Sequence, residues 1–415
     1  MRSVRALLNL SAVLILAIPS FSQQPAPATS KPKVRAITAF IRIDRENYKQ
    51  EVQDALTMLR SAKSAIERSG YEVQTIRITT QPFPEYTRGL SLDEAVAFLR
   101  DYDALAAKEG FDASLGPAML NDSDDPISAE VLGRVLTQAK SVEGSIVVAG
   151  DDGIHWKAVK AAARLLKYVE ANSKNSQGNF SFTTSAFVPQ DAPFFPASYH
   201  LGPGHQFAIG LQSANVVADV FATSHDPATA SAALGSALGH HARAIEAVAK
   251  DIEKTSGWTY MGIDLSPAPL KEVSIGQAIE NFTGTKIGSS GTLTATAIIT
   301  NALKLVPVRH AGYSGLMLPV LEDSLLAQRW SEGALHIDDI LAYSAVCGTG
   351  LDTIPLPGDI SEAQLAHIIS DMASLASKWH KPLSARLLPV QGKAAGQRTD
   401  FDDPFLVNAT IQPLP

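Results

Sequence analysis

Three carboxylates stand where an apolar, strand-like run gives way to loop chemistry. Asp264 ends Thr259-Tyr-Met-Gly-Ile-Asp264, Glu322 follows Leu316-Met-Leu-Pro-Val-Leu321, and Asp352 lies in Cys347-Gly-Thr-Gly-Leu-Asp352-Thr353. Such a group can move protons or bind a hard cation, because the rim of an α/β barrel brings loops from several strands onto one pocket. Asp264, Glu322 and Asp352 are therefore the candidate catalytic set. Paired acids transfer protons near neutral pH when one environment raises a pKa, so hydrolysis or a lyase-type step is expected ahead of redox chemistry. No dinucleotide-binding glycine fingerprint is present. Each acid also fits a plainer role: Asp264 precedes Ser-Pro and suits a turn, and Glu322-Asp323 suits a helix start, with Asp323 the better cap.

Gly288-Ser289-Ser290-Gly291-Thr292 opens a helical pattern, and the free N–H groups of a helix start favour an anion such as a substrate carboxylate or phosphate. Simple capping by the same hydroxyls is the competing explanation. His200, Arg386 and Lys393 complete the candidate binding residues; the two cations would balance an anionic ligand, and each would equally serve a salt bridge. The single cysteine, Cys347, follows a segment at 336–346 that reads as a helix capped by Gly348. A thiol at the negative end of a helix dipole has its pKa raised, which argues for packing over nucleophilic chemistry. The histidines form no zinc signature, and no motif names a cofactor; a divalent metal on the three carboxylates is the one cofactor the sequence allows for.

The elements that must position these residues alternate. Strand-like runs at 34–43, 72–79, 146–149, 181–188, 259–263, 307–312 and 384–390 are separated by helical patterns, which predicts parallel strands flanked by helices, in a barrel or a doubly wound sheet. Ser91-Leu-Asp-Glu94 and Ser361-Glu-Ala-Gln364 are capping boxes. Leu234, Leu238, His241, Ile245, Val248 and Ile252 fall on one face of a helix expected over 227–254, with His241 read as a hydrogen-bonded core residue. Proline and glycine cluster at 189–205 and 345–359, which are expected as loops.

Residues 1–22 have the charged start, apolar run and small-x-small ending of a cleavable signal peptide, with cleavage near Ser22, and 23–33 read as a proline-rich linker. A periplasmic or secreted protein is expected, with no stable membrane anchor, since no later run approaches the ~20 apolar residues of a spanning helix. A lone cysteine excludes an intramolecular disulfide and a cysteine-rich zinc site. A net charge of -7 with interspersed signs gives no basic tract for nucleic acid. The 45% hydrophobic content supports an ordinary core over 34–415, read as one α/β barrel domain.

From Val34 almost to its end, the chain resembles the prokaryotic family domain of unknown function 711. The resemblance rests on Ala36-Ile-Thr-Ala-Phe-Ile41, Pro193-Phe-Phe-Pro-Ala-Ser-Tyr-His200, Gly262-Ile-Asp264-Leu-Ser266-Pro-Ala-Pro269, Gly288-Ser-Ser-Gly291-Thr-Leu-Thr-Ala295, Ser314-Gly-Leu-Met-Leu-Pro-Val-Leu-Glu322-Asp323, Cys347-Gly-Thr-Gly-Leu-Asp-Thr353 and Lys381-Pro-Leu-Ser-Ala-Arg386-Leu-Leu-Pro-Val-Gln-Gly-Lys393. It implies architecture: a fold similar to the ten-stranded β/α barrel of pyruvate formate-lyase. The export leader is a departure from the family's usual pattern.

The sequence thus leads to an exported enzyme that holds a small anionic molecule on the 288–292 helix start and works through Asp264, Glu322 and Asp352. The rival is a solute-binding or assembly protein using the same barrel mouth, with an aromatic pocket around Tyr199, His200 and Tyr313. A small molecule is the expected partner, and self-association into a homo-oligomer is left open.

Overall fold

The computed structural model describes residues 29–194 and 196–414, so the expected signal peptide lies outside the described residues. The strands are β1 (Lys33–Ile41), β2 (Val73–Thr80), β3 (Asp112–Pro117), β4 (Val142–Gly150), β5 (Gly153–Ile154), β6 (Phe182–Ala186), β7 (Gln206–Gln212), β8 (Thr259–Asp264), β9 (Gly350–Pro357) and β10 (Leu383–Val390). They form a 10-stranded sheet in the order β8-β7-β1-β2-β3-β4-β6-β10-β9, with β5 turned back onto β4. Strands β1, β2, β3, β4 and β6 are mutually parallel, as are β7 with β8 and β9 with β10. The seams β1/β7 and β6/β10 are antiparallel. The expected βα alternation holds within each parallel block, and the seams are what reverse the chain direction between blocks.

The end strands β8 and β9 are linked through one irregular segment. The Ile263 N–H donates to the Arg309 carbonyl at 2.8 Å, and the Ala311 N–H returns to the Ile263 carbonyl at 3.1 Å. On the other side, the Val320 N–H donates to the Asp352 carbonyl at 3.0 Å. The architecture is mixed α/β and barrel-like, with single bridges instead of a ladder between its end strands. The strand expected at 307–312 is one of these bridges, since Pro307, Gly312, Gly315 and Pro319 break any longer ladder.

The apolar periodicities act as expected. The long helix is Pro227–Ser256, capped by Asp226 and ended by left-handed Gly257, with Leu234, Leu238, His241, Ile245 and Ile252 buried. His241 Nδ1 lies 3.1 Å from the Tyr71 hydroxyl, as a core histidine should. Both predicted capping boxes form, and Gly110 ends the helix Leu92–Glu109 in the left-handed conformation. No helix among the described residues is long and apolar enough to cross a membrane.

The run expected as a loop at 345–359 is largely strand β9. Its prolines are tolerated because β9 ends the ladder, where one side carries no continuous pairing. Thr353 has φ 48° and coincides with a register shift against β10, the mark of a bulge. The helix before it, Ile337–Tyr343, ends at Ser344, so Gly348 is no cap; it packs so closely on Gly315 that an added Cβ would lie 2.6 Å from the Gly315 Cα. The 187–205 segment does remain a loop, and it packs against strands β1, β2 and β3. There the Thr38 hydroxyl donates to the Pro193 carbonyl at 2.9 Å, the Ser114 hydroxyl to the Ser198 carbonyl at 2.8 Å, and Thr79 Oγ1 meets Ser198 Oγ at 2.6 Å. Beside the main core, a small apolar cluster of Val188, Ala192, Phe194, Ala197, Ala268, Tyr313 and Met317 forms around that loop.

Candidate functional site

A cavity of about 180 Å³ collects charged side chains from most of the sheet. Arg35 of β1, Asp112 of β3 and Glu143 of β4 line it from near the amino-terminal ends of their strands, and Arg77 lines it from the middle of β2. Asp352 of β9, Arg386 of β10 and Glu322 line the facing side. Period-two alternation explains the pairings along each strand: Thr75 with Arg77, and Ser384 with Arg386, are two residues apart and share one face. Phe194, Ala197 and Met317 of the small cluster supply an apolar floor. Three of these four charges thus lie toward the end opposite to the carboxyl-terminal rim on which β/α barrels ordinarily carry their chemistry.

Arg386 organises one wall. Its Nε donates to Asp352 Oδ1 at 2.8 Å, its Nη2 donates to Glu322 Oε1, and its guanidinium lies 4.7 Å from the centre of the Phe180 ring. All three ionic side chains are largely buried. Burial pulls the Arg386 pKa down, but Asp352 and Glu322 outweigh it and the guanidinium is held above its ordinary value. Burial pushes Glu322 upward, with Arg386 opposing and Asp352 adding to the rise. On the opposite wall, Arg77 Nε sits 3.7 Å from Asp112 Oδ2.

Glu143 is the unusual group. Its Oε2 is buried and has no hydrogen-bond partner among the described residues. Burial raises its carboxyl to about 7, against the pull of Arg77. A carboxyl at that value is near half-protonation at neutral pH, which is the condition for taking up and returning a proton. Arg35, half-buried, donates to Gln74 Oε1 at 3.4 Å and lies 5.1 Å from the Phe405 ring; burial lowers it to about 10.

Of the predicted catalytic set, the fold brings Glu322 and Asp352 together and leaves Asp264 out. Asp264 is fully buried at the end of β8 and does not line the cavity. Its Oδ1 accepts from the Ser266 N–H at 2.9 Å, the Ser266 hydroxyl at 2.6 Å and the Ser314 N–H at 3.0 Å, while Oδ2 accepts from the Tyr313 N–H at 2.7 Å. Burial pushes its carboxyl up, and these donors pull the other way. The group fixes the 311–315 turn, and so sets Tyr313, whose hydroxyl meets Ser384 Oγ at 2.9 Å on the cavity wall.

Among the predicted binding residues, only Arg386 belongs to the cavity. Gly288, Ser289, Ser290, Gly291 and Thr292 lie outside it, with both serines exposed. Gly288 is there for close packing, since a Cβ would fall 1.7 Å from the Ala334 carbonyl oxygen, and Thr292 Oγ1 accepts the Gly288 N–H at 3.2 Å. His200 is a core residue: its Nε2 lies 2.6 Å from the Ile41 carbonyl oxygen, and burial lowers its pKa to about 4. Lys393 pairs with Asp400 at 3.2 Å, away from the cavity. Cys347 is buried and lines a different cavity, which it shares with Asp191, His310 and Lys381. No group of three or more His, Cys, Asp or Glu side chains is placed to hold a metal ion among the described residues; Glu322 and Asp352 share Arg386 instead.

Arg35, Arg77 and Glu143 escaped the sequence reading. The available signal was a charge inside an apolar strand, as in Val34-Arg35-Ala36-Ile37 and Val142-Glu143. Such residues are seldom buried unless function or pairing requires them.

Fold and cavity together define a mixed α/β, barrel-like protein with a charged, partly open site lined by its sheet. The family model described as Uncharacterised ACR (DUF711) matches residues 28–402, and the chain belongs to that family. It is 31% identical to a UPF0210 protein of Pyrobaculum arsenaticum over 83% of this chain and 78% of the relative. UPF0210 proteins of Desulfovibrio desulfuricans and Bifidobacterium longum subsp. infantis are 28% and 29% identical, over 84% and 82% of this chain and 81% and 80% of theirs.

Proposed function

We propose that the protein is an enzyme acting by proton transfer on a small anionic molecule, in a hydrolytic or lyase-type reaction. The observation that carries this reading is Glu143: a carboxyl with a buried, unpartnered Oε2, poised near neutrality inside a cavity that also holds Arg35, Arg77 and Arg386. The arginines supply the electrostatic hold on an anion, and preorganised charges largely shielded from solvent act more strongly than in water. Glu143 takes a proton from the bound molecule and returns it. Glu322, Asp352 and Arg386 keep the facing wall rigid and charged. This places acid/base work on a residue outside the set read from sequence, with Glu322 and Asp352 in support.

The test starts from native mass spectrometry of the purified protein, followed by extraction of any co-purified organic acid. That compound, or its closest commercial acids, is then incubated with enzyme in D2O and followed by NMR. Turnover or carbon-bound deuterium uptake that Glu143→Gln abolishes is the expected result. Identical spectra for parent and variant would leave a non-catalytic solute-binding protein as the better reading.

Export of the chain is part of the same proposal and rests on the 1–22 leader. Peptide mass spectrometry of fractionated cells should find a mature end near Gln23 outside the cytoplasm; an intact Met1 end in the cytosol would remove it.

A further inference from the structure

We infer that the molecule bound in this cavity is a small zwitterion of amino-acid type, with its carboxylate on Arg35 and its ammonium on Glu143. The inference rests on the function proposed above and narrows its substrate class.

Two charges are left over once the cavity's internal pairs are made. Arg386 answers Glu322 and Asp352, and Arg77 lies beside Asp112. Asp403, without an ion pair among the described residues, is part-exposed with its Oδ1 accepting the Phe405 N–H at 2.8 Å, and Lys140 is exposed at the rim. Arg35 and Glu143 remain. Neither makes an ion pair among the described residues, and Glu143 Oε2 has no hydrogen-bond partner at all there. They are opposite in sign and line one cavity, yet they are not paired with each other.

A charge shielded from water and without an ion partner is unfavourable, so half-buried Arg35 and the buried Oε2 of Glu143, lining the same space, define what would fill it. A plain anion answers Arg35 and leaves Glu143 without a donor. A plain amine does the reverse. A molecule carrying both charges satisfies both groups, and the displacement of each toward its neutral form, Arg35 down and Glu143 up, is what an unanswered pair should show. The cavity, about 180 Å³, has room for a small molecule. Phe194, Ala197 and Met317 leave an apolar surface for a short side chain.

Isothermal titration of the purified protein with the coded amino acids, β-alanine and 4-aminobutanoate, each set against the acid and the amine of the same skeleton, tests this. At least one amino acid should bind tenfold or more tightly than its matched acid and amine. Arg35→Gln should weaken that amino acid and the plain acid together. Glu143→Gln, which keeps shape and removes the buried charge, should erase the amino acid's advantage and leave the acid's affinity unchanged or higher. Plain acids binding as well as amino acids to the parent would overturn the zwitterion and leave the anion-binding enzyme standing. Binding by none of the probes would overturn both.

Discussion

Across the seam of neighbouring strands β9 and β10, the Nε–H of Arg386 meets Oδ1 of Asp352 at 2.8 Å, and the same guanidinium turns its Nη2 to Glu322. One cation thereby holds two carboxylates that stand far apart in the chain. The wall of the cavity depends on that sharing.

Arg386→Met should be among the most destabilising single changes in the protein. Removing one member of a buried ionic group leaves the others uncompensated, at a loss of about 3–5 kcal/mol. Urea unfolding measures it, and Arg386→Met combined with Glu322→Gln and Asp352→Asn should recover much of the loss. A loss below about 1 kcal/mol for the single variant, the range of exposed pairs, would mean that the triad is solvated.

Glu143 sets a pH dependence with a definite sign. Its folded pKa of about 7 exceeds the ordinary carboxyl value, so between pH 4.5 and 7 the folded chain binds more protons than the unfolded chain. Stability from this group is full below that window and declines as pH rises through it. Glu143→Gln should remove the decline and be more stable than the parent at pH 8, by on the order of 1 kcal/mol. Unfolding midpoints of both proteins at a series of pH values decide it, and parallel curves would contradict the raised pKa.

His200 acts in the opposite direction. Burial lowers it to about 4, so between pH 4 and 6.5 the unfolded chain binds the extra proton and stability rises with pH. The two windows overlap with opposing slopes, which makes the difference between variant and parent the informative quantity. His200→Gln should flatten the rise below pH 6.5, and an unchanged acid limb would place the acid sensitivity elsewhere.

Asp264→Asn keeps the size of the side chain but turns one acceptor oxygen into a donor facing backbone N–H groups. A loss of roughly 1–3 kcal/mol is expected in thermal or urea unfolding. Gly312→Ala should disturb the same turn, because its Cβ would lie 2.2 Å from Asp264 Oδ2 and its φ is 59°. Wild-type stability in both variants would show that the 311–315 turn does not depend on this carboxylate.

Much of the architecture was legible in the chain alone, since local rules suffice for it. The 3.6-residue stripe from Leu234 to Ile252, the capping boxes at Ser91 and Ser361 and the left-handed Gly110 depend on neighbours within a few positions, so they declare themselves in sequence. The β9 strand was hidden because Pro355 and Pro357 read as loop unless its place at the end of the ladder is known. Glu322, Asp352 and Arg386 were each recognisable as candidates, but their meeting on one guanidinium follows from strand order. Asp264 looked like its companions locally, and only the turn folding over it from Gly312 to Ser314 made it an internal anchor. Arg35 and Glu143 faced one cavity only once the strands between them were laid side by side. Residue type and spacing determined the elements and the stock of chemical groups; long-range pairing of the sheet, which no local pattern encodes, decided which of those groups share a space.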